Sequence, residues 1–412
     1  MIRSMLRPVT RTVRAFAACV ACVAAWAGGP DPAAVGVGDD RSGYERDDYR
    51  SRSAQIAATG RPLDLVALIA QPPLGLPAVP GAKPSKPMID LGRRLFFDRR
   101  LSFNGTLSCG MCHVPEQGFT QNELATPVGF AGASVKRNAP ALYNVAYRPR
   151  LFHDGREGAL ELQIWSPLLA ANEMANPSIG LVVERIAALP EYRDLFDAAF
   201  GRGPDVVDVG QALAAYERGL LSADSAFDRW YFGRDTAAMT RSAIRGFGVF
   251  RAQGCVSCHI IGDGQALFSD DDFHDTGVGY AASQHRAPSS VQLAPGVAVT
   301  VTTPIDAPTA NDLGRYEATL VAADRWRYRT PTLRNVAVTA PYMHDGSLTT
   351  LANVVDYYMA GGAPHEGQDA RIRPLTLTAR DRADLVAFLE SLTGSNVDAL
   401  AADARTVTIG DR

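Results

Sequence analysis

Cys109-Gly110-Met111-Cys112-His113 and Cys255-Val256-Ser257-Cys258-His259 are the two stretches on which the reading of this chain turns. Residues three apart share one face of a helical turn. The two sulfurs of each pair can therefore bond the two vinyl groups of one heme, while the histidine that follows reaches its iron. Two Cys-x-x-Cys pairs could also grip one tetrahedral zinc, and a single pair could serve as a redox dithiol. Neither explains a histidine directly after both pairs. A disulfide framework is the habit of small exported domains without a sufficient core, and a chain of 412 residues has no such need. The pattern predicts two covalently bound c-type hemes with His113 and His259 as iron ligands; zinc and disulfides are the alternatives.

Outside these motifs, 46% hydrophobic and 21% charged residues are the proportions of a folded globular chain, which excludes collagen, coiled coil and bulk disorder. With 37 glycines and 26 prolines, long loops are expected around the helices. A net charge of −3, with no basic block beyond the N-terminus, argues against a nucleic-acid partner. That N-terminus reads as an address. Arg3, Arg7, Arg11 and Arg14 precede the apolar run Ala15–Ala27, which ends in the small-x-small pattern Ala25-Trp26-Ala27. Residues 1–27 are thus read as a secretory signal; the apolar run itself falls short of the ~18–20 residues a spanning helix needs, and no later segment is both long and uncharged enough to span. A lipoprotein anchor at Cys19 or Cys22 is the lesser alternative, since neither has a leucine three residues before it. The mature chain is expected in the periplasm, without a membrane span.

Residues 28–85, with the charged run Asp39–Arg52, are expected to form a flexible leader. Apolar residues recurring at three and four predict helices over Met88–Arg99, Glu157–Ala170, Gly180–Ala199, Val206–Phe232, Arg241–Gln253, Thr349–Ala360 and Thr378–Leu392. The last opens on Thr378 and Asp381, a capping-box arrangement. The run Ala281–Asn311 reads as a loop insertion. No exact repeat is read beyond the doubled helix-plus-Cys-x-x-Cys-His unit. The expected fold is mainly α: two cytochrome-c-like heme domains, 86–240 and 241–395, packed with their hemes facing a shared interface, with long loops and a tail at 396–412.

Further motifs follow in order between about residues 86 and 395: Leu91-Gly92-Arg93-Arg94-Leu95-Phe96-Phe97-Asp98, Arg137-Asn138-Ala139-Pro140, Asp154-Gly155-Arg156, Asn172-Glu173-Met174, Phe273-His274-Asp275-Thr276-Gly277, Thr330-Pro331-Thr332-Leu333-Arg334-Asn335 and Ala340-Pro341-Tyr342-Met343-His344-Asp345-Gly346. In these the chain resembles the bacterial diheme cytochrome c peroxidases and the related MauG-type maturation enzymes. The resemblance implies a first, peroxidatic heme with one axial position open to hydrogen peroxide and His113 on its other face. The loop Glu123–Lys136 contains no histidine to block that position, as in the MauG-type branch. Glu173 matches the family's distal carboxylate, which moves a proton between the two peroxide oxygens. Its bland alternative is an exposed glutamate at a helix end. Gln163 and Pro167 match neighbouring distal positions.

The second heme is implied to store electrons, with His259 on one face and a ligand from a later helix on the other. There Leu351, Val354, Val355 and Tyr358 fall on one apolar face, so Tyr358 is the candidate, as in MauG-type enzymes. The peroxidase branch carries Met at this position, and Met359 is the neighbour that a small helix rotation would present. A core tyrosine is the bland alternative. A calcium ion between the hemes is implied through the Asn138 side chain and the carbonyls of Thr339 and Pro341; a plain turn role for Asn138 is the alternative.

Where the family has tryptophan before Asp-Gly-Arg, between the hemes, this chain has His153, whose imidazole is harder to oxidise. Hole sharing between the irons is therefore expected to suffer. His153 is also weighed as a distal ligand of the first heme, against a surface or propionate-bonding role. His274 and His344 are expected to bond propionates or backbone, and His285 and His365 to do nothing chemical. The implied activity is reduction of hydrogen peroxide to water, with electrons from a small periplasmic cytochrome c or cupredoxin. The alternatives are peroxide-dependent oxidation of Trp or Tyr side chains of a partner protein, and non-enzymatic diheme electron transfer.

Overall fold

The computed structural model describes residues 58–284 and 312–407, with the backbone of 289–294 and 297–301 between them. The expected signal at 1–27, the run Asp39–Arg52 and His285 lie outside the described residues. Two helix pairs carry the fold, each crossing at a glycine. Lys86–Phe97, capped by Ser85, crosses Val206–Arg218 at Gly92, where an added Cβ would fall 1.8 Å from the Ala212 carbonyl oxygen. Arg241–Ala252, capped by Thr240, crosses Ala379–Glu390 at Gly246, where a Cβ would fall 1.8 Å from the Asp384 carbonyl oxygen. Only a residue without a Cβ permits backbones so close. The helix Ala379–Glu390 opens on the expected capping box of Thr378 and Asp381.

Each crossing organises a core. Leu91, Leu95, Phe96, Leu213 and Tyr216 belong to the first, and Phe247, Phe250, Leu385, Phe388 and Leu389 to the second. Burying one such side chain contributes about 1.5–3 kcal/mol. Near the junction of the two cores, Arg334 and Asp228, both wholly buried, pair through contacts of 2.8 and 2.9 Å. Removing one partner of such a pair strands a buried charge.

Several expectations are corrected. The leader expected over 28–85 is ordered in its second part: Leu65–Ala70 form a helix capped by Asp64, and Leu65 and Ile69 enter the first core. The tail expected over 396–412 likewise contains the helix Val397–Ala404. Its Leu400 and Ala404 enter the same core, and Asp403 meets Arg93 Nε at 3.0 Å. Helices of one or two turns carry too few apolar positions for a periodicity to register. Gly180–Ala199 divides at Leu189 because Pro190 opens a new helix, Pro190–Phe200. Val206–Phe232 stops at Arg218 and restarts as Ala226–Tyr231 on a Ser225–Asp228 capping box. Glu157–Ala170 becomes two short helices, Leu160–Gln163 and Trp165–Leu169.

Within the expected loop Ala281–Asn311, Ser289–Ala294 pairs antiparallel with Val297–Val301, a pairing that Val- and Thr-rich sequence favours. A second short antiparallel pair joins Phe273–His274 to Tyr328–Arg329. No helix among the described residues is long and apolar enough to cross a membrane.

Candidate functional site

Both Cys-x-x-Cys-His motifs form single turns that open directly onto a core. His113 N donates to Cys109 O at 2.9 Å, and His259 N to Cys255 O at 3.0 Å. Each imidazole is then fixed by its other nitrogen: His113 Nδ1 lies 2.9 Å from Phe119 O, and His259 Nδ1 lies 2.8 Å from Phe268 O. A carbonyl only accepts, so Nδ1 carries the proton and Nε2 keeps its lone pair for a metal. Phe119 and Phe268 present those carbonyls from positive φ, 54° and 51°, a conformation that costs energy in a bulky residue. Burial holds both imidazoles below their ordinary pKa and therefore neutral. Phe96 and Phe250, each four residues after its crossing glycine, stand 6.4 and 6.3 Å from the two rings.

Among the described residues, Cys109, Cys112, Cys255 and Cys258 form no disulfide with one another. Burial pushes Cys112 and Cys255 up to about 11. The two pairs do not converge. Among the described residues, the one His, Cys, Asp and Glu cluster of metal-binding reach is Cys258, Asp270 and His274. There His274 is already engaged by Asp270 and Asp369, each at 2.9 Å. The zinc and disulfide alternatives find no support.

A heme fits better. Cys255, Cys258, His259, Phe250, Leu385 and Leu389 line a cavity of about 330 Å³ together with Leu351, Val354, Val355 and Tyr358. A cavity lined mainly by apolar side chains, with cationic ones among them and a fixed imidazole lone pair, suits a flat macrocycle that carries carboxylates. Tyr358 is part of this lining; burial, and the nearby Cys255 and Cys258, push its phenol up to about 12. Met359 packs against the second core instead.

Glu173 lies in a turn after Trp165–Leu169, held by Glu173 N to Ala170 O at 2.9 Å and Phe130 N to Glu173 O at 2.8 Å. Gly129 backs this turn, with room for no side chain: a Cβ would fall 2.1 Å from Asn172 O. The Glu173 carboxyl is half-buried rather than exposed. Burial raises its pKa against the opposing pull of Arg156, and its field raises those of Cys109 and Cys112, so it lies within electrostatic reach of the first cysteine pair. Gln163 and Pro167 are half-buried on the two short helices that precede it.

His153 is half-buried rather than on the surface, with Nε2 3.0 Å from Asn138 O, and it lines the same cavity as His259. That nitrogen carries the proton, and burial pulls the imidazole down to about 4, so the ring is a neutral donor committed to the backbone. Asn138 is buried, donates from Nδ2 to Ala125 O at 2.8 Å and holds only a 3.5 Å contact at Oδ1, from Thr120. Thr339 and Pro341 line the same cavity as Asn138. His344 stacks on Tyr328 at 3.6 Å. His365 bonds Asp275 at 2.9 Å and stacks on Tyr280 at 4.0 Å, a packing role that loop composition does not reveal.

The structure exposes a second repeat. Pro140-Ala141-Leu142-Tyr143-Asn144-Val145-Ala146 and Pro331-Thr332-Leu333-Arg334-Asn335-Val336-Ala337 share Pro-x-Leu-x-Asn-Val-Ala. Each asparagine has positive φ and starts a 3-10 turn. Asn144 N donates to Leu220 O at 2.9 Å and Asn335 N to Leu392 O at 3.1 Å, in each case just beyond the helix that crosses at the glycine. The two side chains meet at Ser222, whose N donates to Asn144 Oδ1 at 2.9 Å and whose Oγ donates to Asn335 Oδ1 at 3.1 Å. The five matching letters were the available signal. Glu217 also escaped sequence reasoning: it is buried, coupled to Cys109, pushed up to about 8, and its Oε2 has no hydrogen-bond partner.

A mainly α fold with two matched Cys-x-x-Cys-His sites defines a diheme c-type oxidoreductase. Residues 86–236 match the family model described as di-haem cytochrome c peroxidase. The chain is 37% identical to the methylamine utilization protein MauG of Methylorubrum extorquens, over 83% of this chain and 89% of that protein. It is 36% identical to cytochrome-c peroxidase IdrP1 of Denitromonas iodatirespirans, over 78% of this chain and 86% of that one. Among solved structures, a MauG-like protein associated with microbial copper homeostasis matches with TM-score 0.64 and 31% identity, covering 82% of this chain and 96% of its own. The diheme peroxidase BthA from Burkholderia thailandensis shares the fold, with TM-score 0.61 over 83% of this chain and 93% of its own. The chain belongs to the di-haem cytochrome c peroxidase family, and it is an oxidoreductase of the peroxidase type.

Proposed function

We propose that this protein reduces hydrogen peroxide to water in the periplasm, with electrons from a small cytochrome c or cupredoxin. The carrying observation is an asymmetry between two otherwise matched sites: the cavity beside His259 has Tyr358 in its wall, whereas the turn near the first pair presents the carboxyl of Glu173. The half 86–240 would then be peroxidatic and the half 241–395 would store electrons. Cys109 with Cys112, and Cys255 with Cys258, would hold the two hemes, with His113, His259 and Tyr358 offering donor atoms to the irons. When bound, heme supplies an iron that exchanges electrons singly and, where one face is open, takes a small oxygen ligand.

Glu173, held protonated more readily by its burial, would carry a proton from one peroxide oxygen to the other so that water is the leaving group. Gln163 would orient peroxide from the adjoining helix. Per turnover, peroxide takes up two electrons and two protons and yields two waters. His153 would act between the halves as a fixed hydrogen-bond donor rather than as an electron relay. Asn138 Oδ1 and the carbonyls of Thr339 and Pro341 offer the hard oxygens a calcium ion prefers.

The test is peroxide consumption by the exported holoprotein with and without reduced cytochrome c. Oxidation of the cytochrome in step with peroxide loss supports the proposal. Peroxide loss with oxidised Trp or Tyr on a co-purifying protein, and none of the cytochrome, selects the protein-modifying alternative. A Soret band indifferent to peroxide selects plain electron transfer.

A further inference from the structure

The wall of the cavity beside His259 carries more positive charge than the protein neutralises. Arg148, just after the turn Val145–Tyr147, and Arg329, from the short strand Tyr328–Arg329, converge on the single carboxylate of Asp271. Arg148 Nη1 donates to Asp271 Oδ1 at 3.2 Å. Arg329 Nη1 stands 3.6 Å from the same oxygen, beyond hydrogen-bond reach, and although buried it has no hydrogen-bond partner. Arg329 Nε reaches Phe152 O at 3.3 Å. The two side chains are 11% and 9% exposed, and both residues line the cavity that holds Cys255, Cys258 and His259.

Other acids nearby are already engaged, Asp270 by His274 and Asp369 by His274 and Arg371. Burial lowers the pKa of both guanidiniums, Arg329 to about 9 with Arg148 adding to the effect, which is what two buried cations sharing one anion should show. The geometry leaves room for a second anion facing the slot.

We infer that Arg148 and Arg329 bind a carboxylate of the heme carried at Cys255 and Cys258, completing a set of two guanidiniums and two carboxylates of which Asp271 supplies only one. The inference rests on the proposed second heme. The propionates are that molecule's only anionic groups, and the guanidinium fork matches a carboxylate in shape and charge. The first cysteine pair does not line this cavity, which assigns the carboxylate to the second heme. Its consequence is electronic. Neutralising an ionised propionate beside the iron favours the reduced state, whereas an anionic tyrosine ligand favours the oxidised one. The arginine pair would therefore counter Tyr358 and set how readily the second heme accepts an electron from its donor.

The experiment is a redox titration of the full holoprotein at fixed pH and ionic strength, resolved heme by heme by electron paramagnetic resonance, for Arg329→Leu, Arg148→Leu and Arg329→Lys. Mass spectrometry of the peptide containing Cys255 and Cys258 comes first: an unmodified peptide in the wild type sinks the heme reading itself, separately from this inference. With heme attached, each leucine variant should move the second heme's reduction equilibrium roughly tenfold toward the oxidised form, about 59 mV for one electron. Arg329→Lys should recover at least half of that shift. Should Arg329→Leu fail to fold, Arg148→Leu and Arg329→Gln carry the test. An equilibrium unchanged within about twofold, or a shift confined to the first heme, overturns the inference.

Discussion

In the first half, Gly92 lets Lys86–Phe97 cross Val206–Arg218, and Phe96 stands beside a His113 whose Nδ1 is tied to Phe119 O. In the second half, Gly246, Phe250, His259 and Phe268 O repeat every part of that device at nearly the same distances. The faces turned away from this device differ. Counted from the crossings, Tyr216 and Glu217 of the first half correspond to Phe388 and Leu389 of the second. The Glu173 carboxyl near the first site has Tyr358 as its counterpart in the wall of the second. What holds the histidine is duplicated, and what faces the remaining space has diverged. On the proposed reading, a shared cradle with unlike surroundings would let one chain divide labour between two copies of the same cofactor.

The comparison breaks most visibly at Glu173. Glu173→Gln should slow peroxide turnover by about 10²- to 10⁴-fold, the scale of a lost proton carrier, with both hemes still attached. Unchanged stopped-flow kinetics would remove the carboxyl from the chemistry. The equivalence of the cradles is tested by Gly92→Ala and Gly246→Ala. Each forces a methyl into a carbonyl at 1.8 Å, and each should cost about 1–3 kcal/mol or more in chemical denaturation. Unequal costs would show that the two crossings are not alike.

Glu217 sharpens the contrast through pH. Its pKa is raised from an ordinary 4.5 to about 8, first by burial and further by Glu161, so the folded state holds a proton that the unfolded chain has released. Its destabilising effect is absent below pH 4.5, grows as pH rises toward 8 and is complete above it. Glu217→Gln should flatten that decline, and Leu389→Ala, at the matching position, should leave the pH dependence alone. Identical pH profiles for Glu217→Gln and wild type would refute the assignment. The most delicate case is Tyr358→Phe, which should turn one low-spin heme signal high-spin with little effect on stability. An unaltered spectrum would return Tyr358 to the packing of the slot.

How far the sequence could be read follows from distance along the chain. The Cys-x-x-Cys-His turns, the Thr378–Asp381 capping box and the crossing helices are local patterns, so their letters suffice. The end helices Leu65–Ala70 and Val397–Ala404 are too short to signal by periodicity, and their burial depends on partners far away in sequence. The Pro-x-Leu-x-Asn-Val-Ala repeat was legible but is interrupted by unlike residues, Tyr143 against Arg334. The meeting of Arg148 with Asp271 spans 123 residues and leaves no trace in composition. The bond of His153 is hidden for the same reason: its partner is a backbone carbonyl, which no residue type announces.

The first core draws Leu65 and Ile69 from one end of the chain and Leu400 and Ala404 from the other. A polypeptide is made from its N-terminus, so these last two side chains arrive after almost everything else. Cys109 packs against that same core. The second core draws its buried residues from Phe227 to Leu392, without either of those end helices. The first core is thus clasped by two short helices far apart in sequence, and a chain cut before residue 397 would lose Leu400 and Ala404 from that clasp.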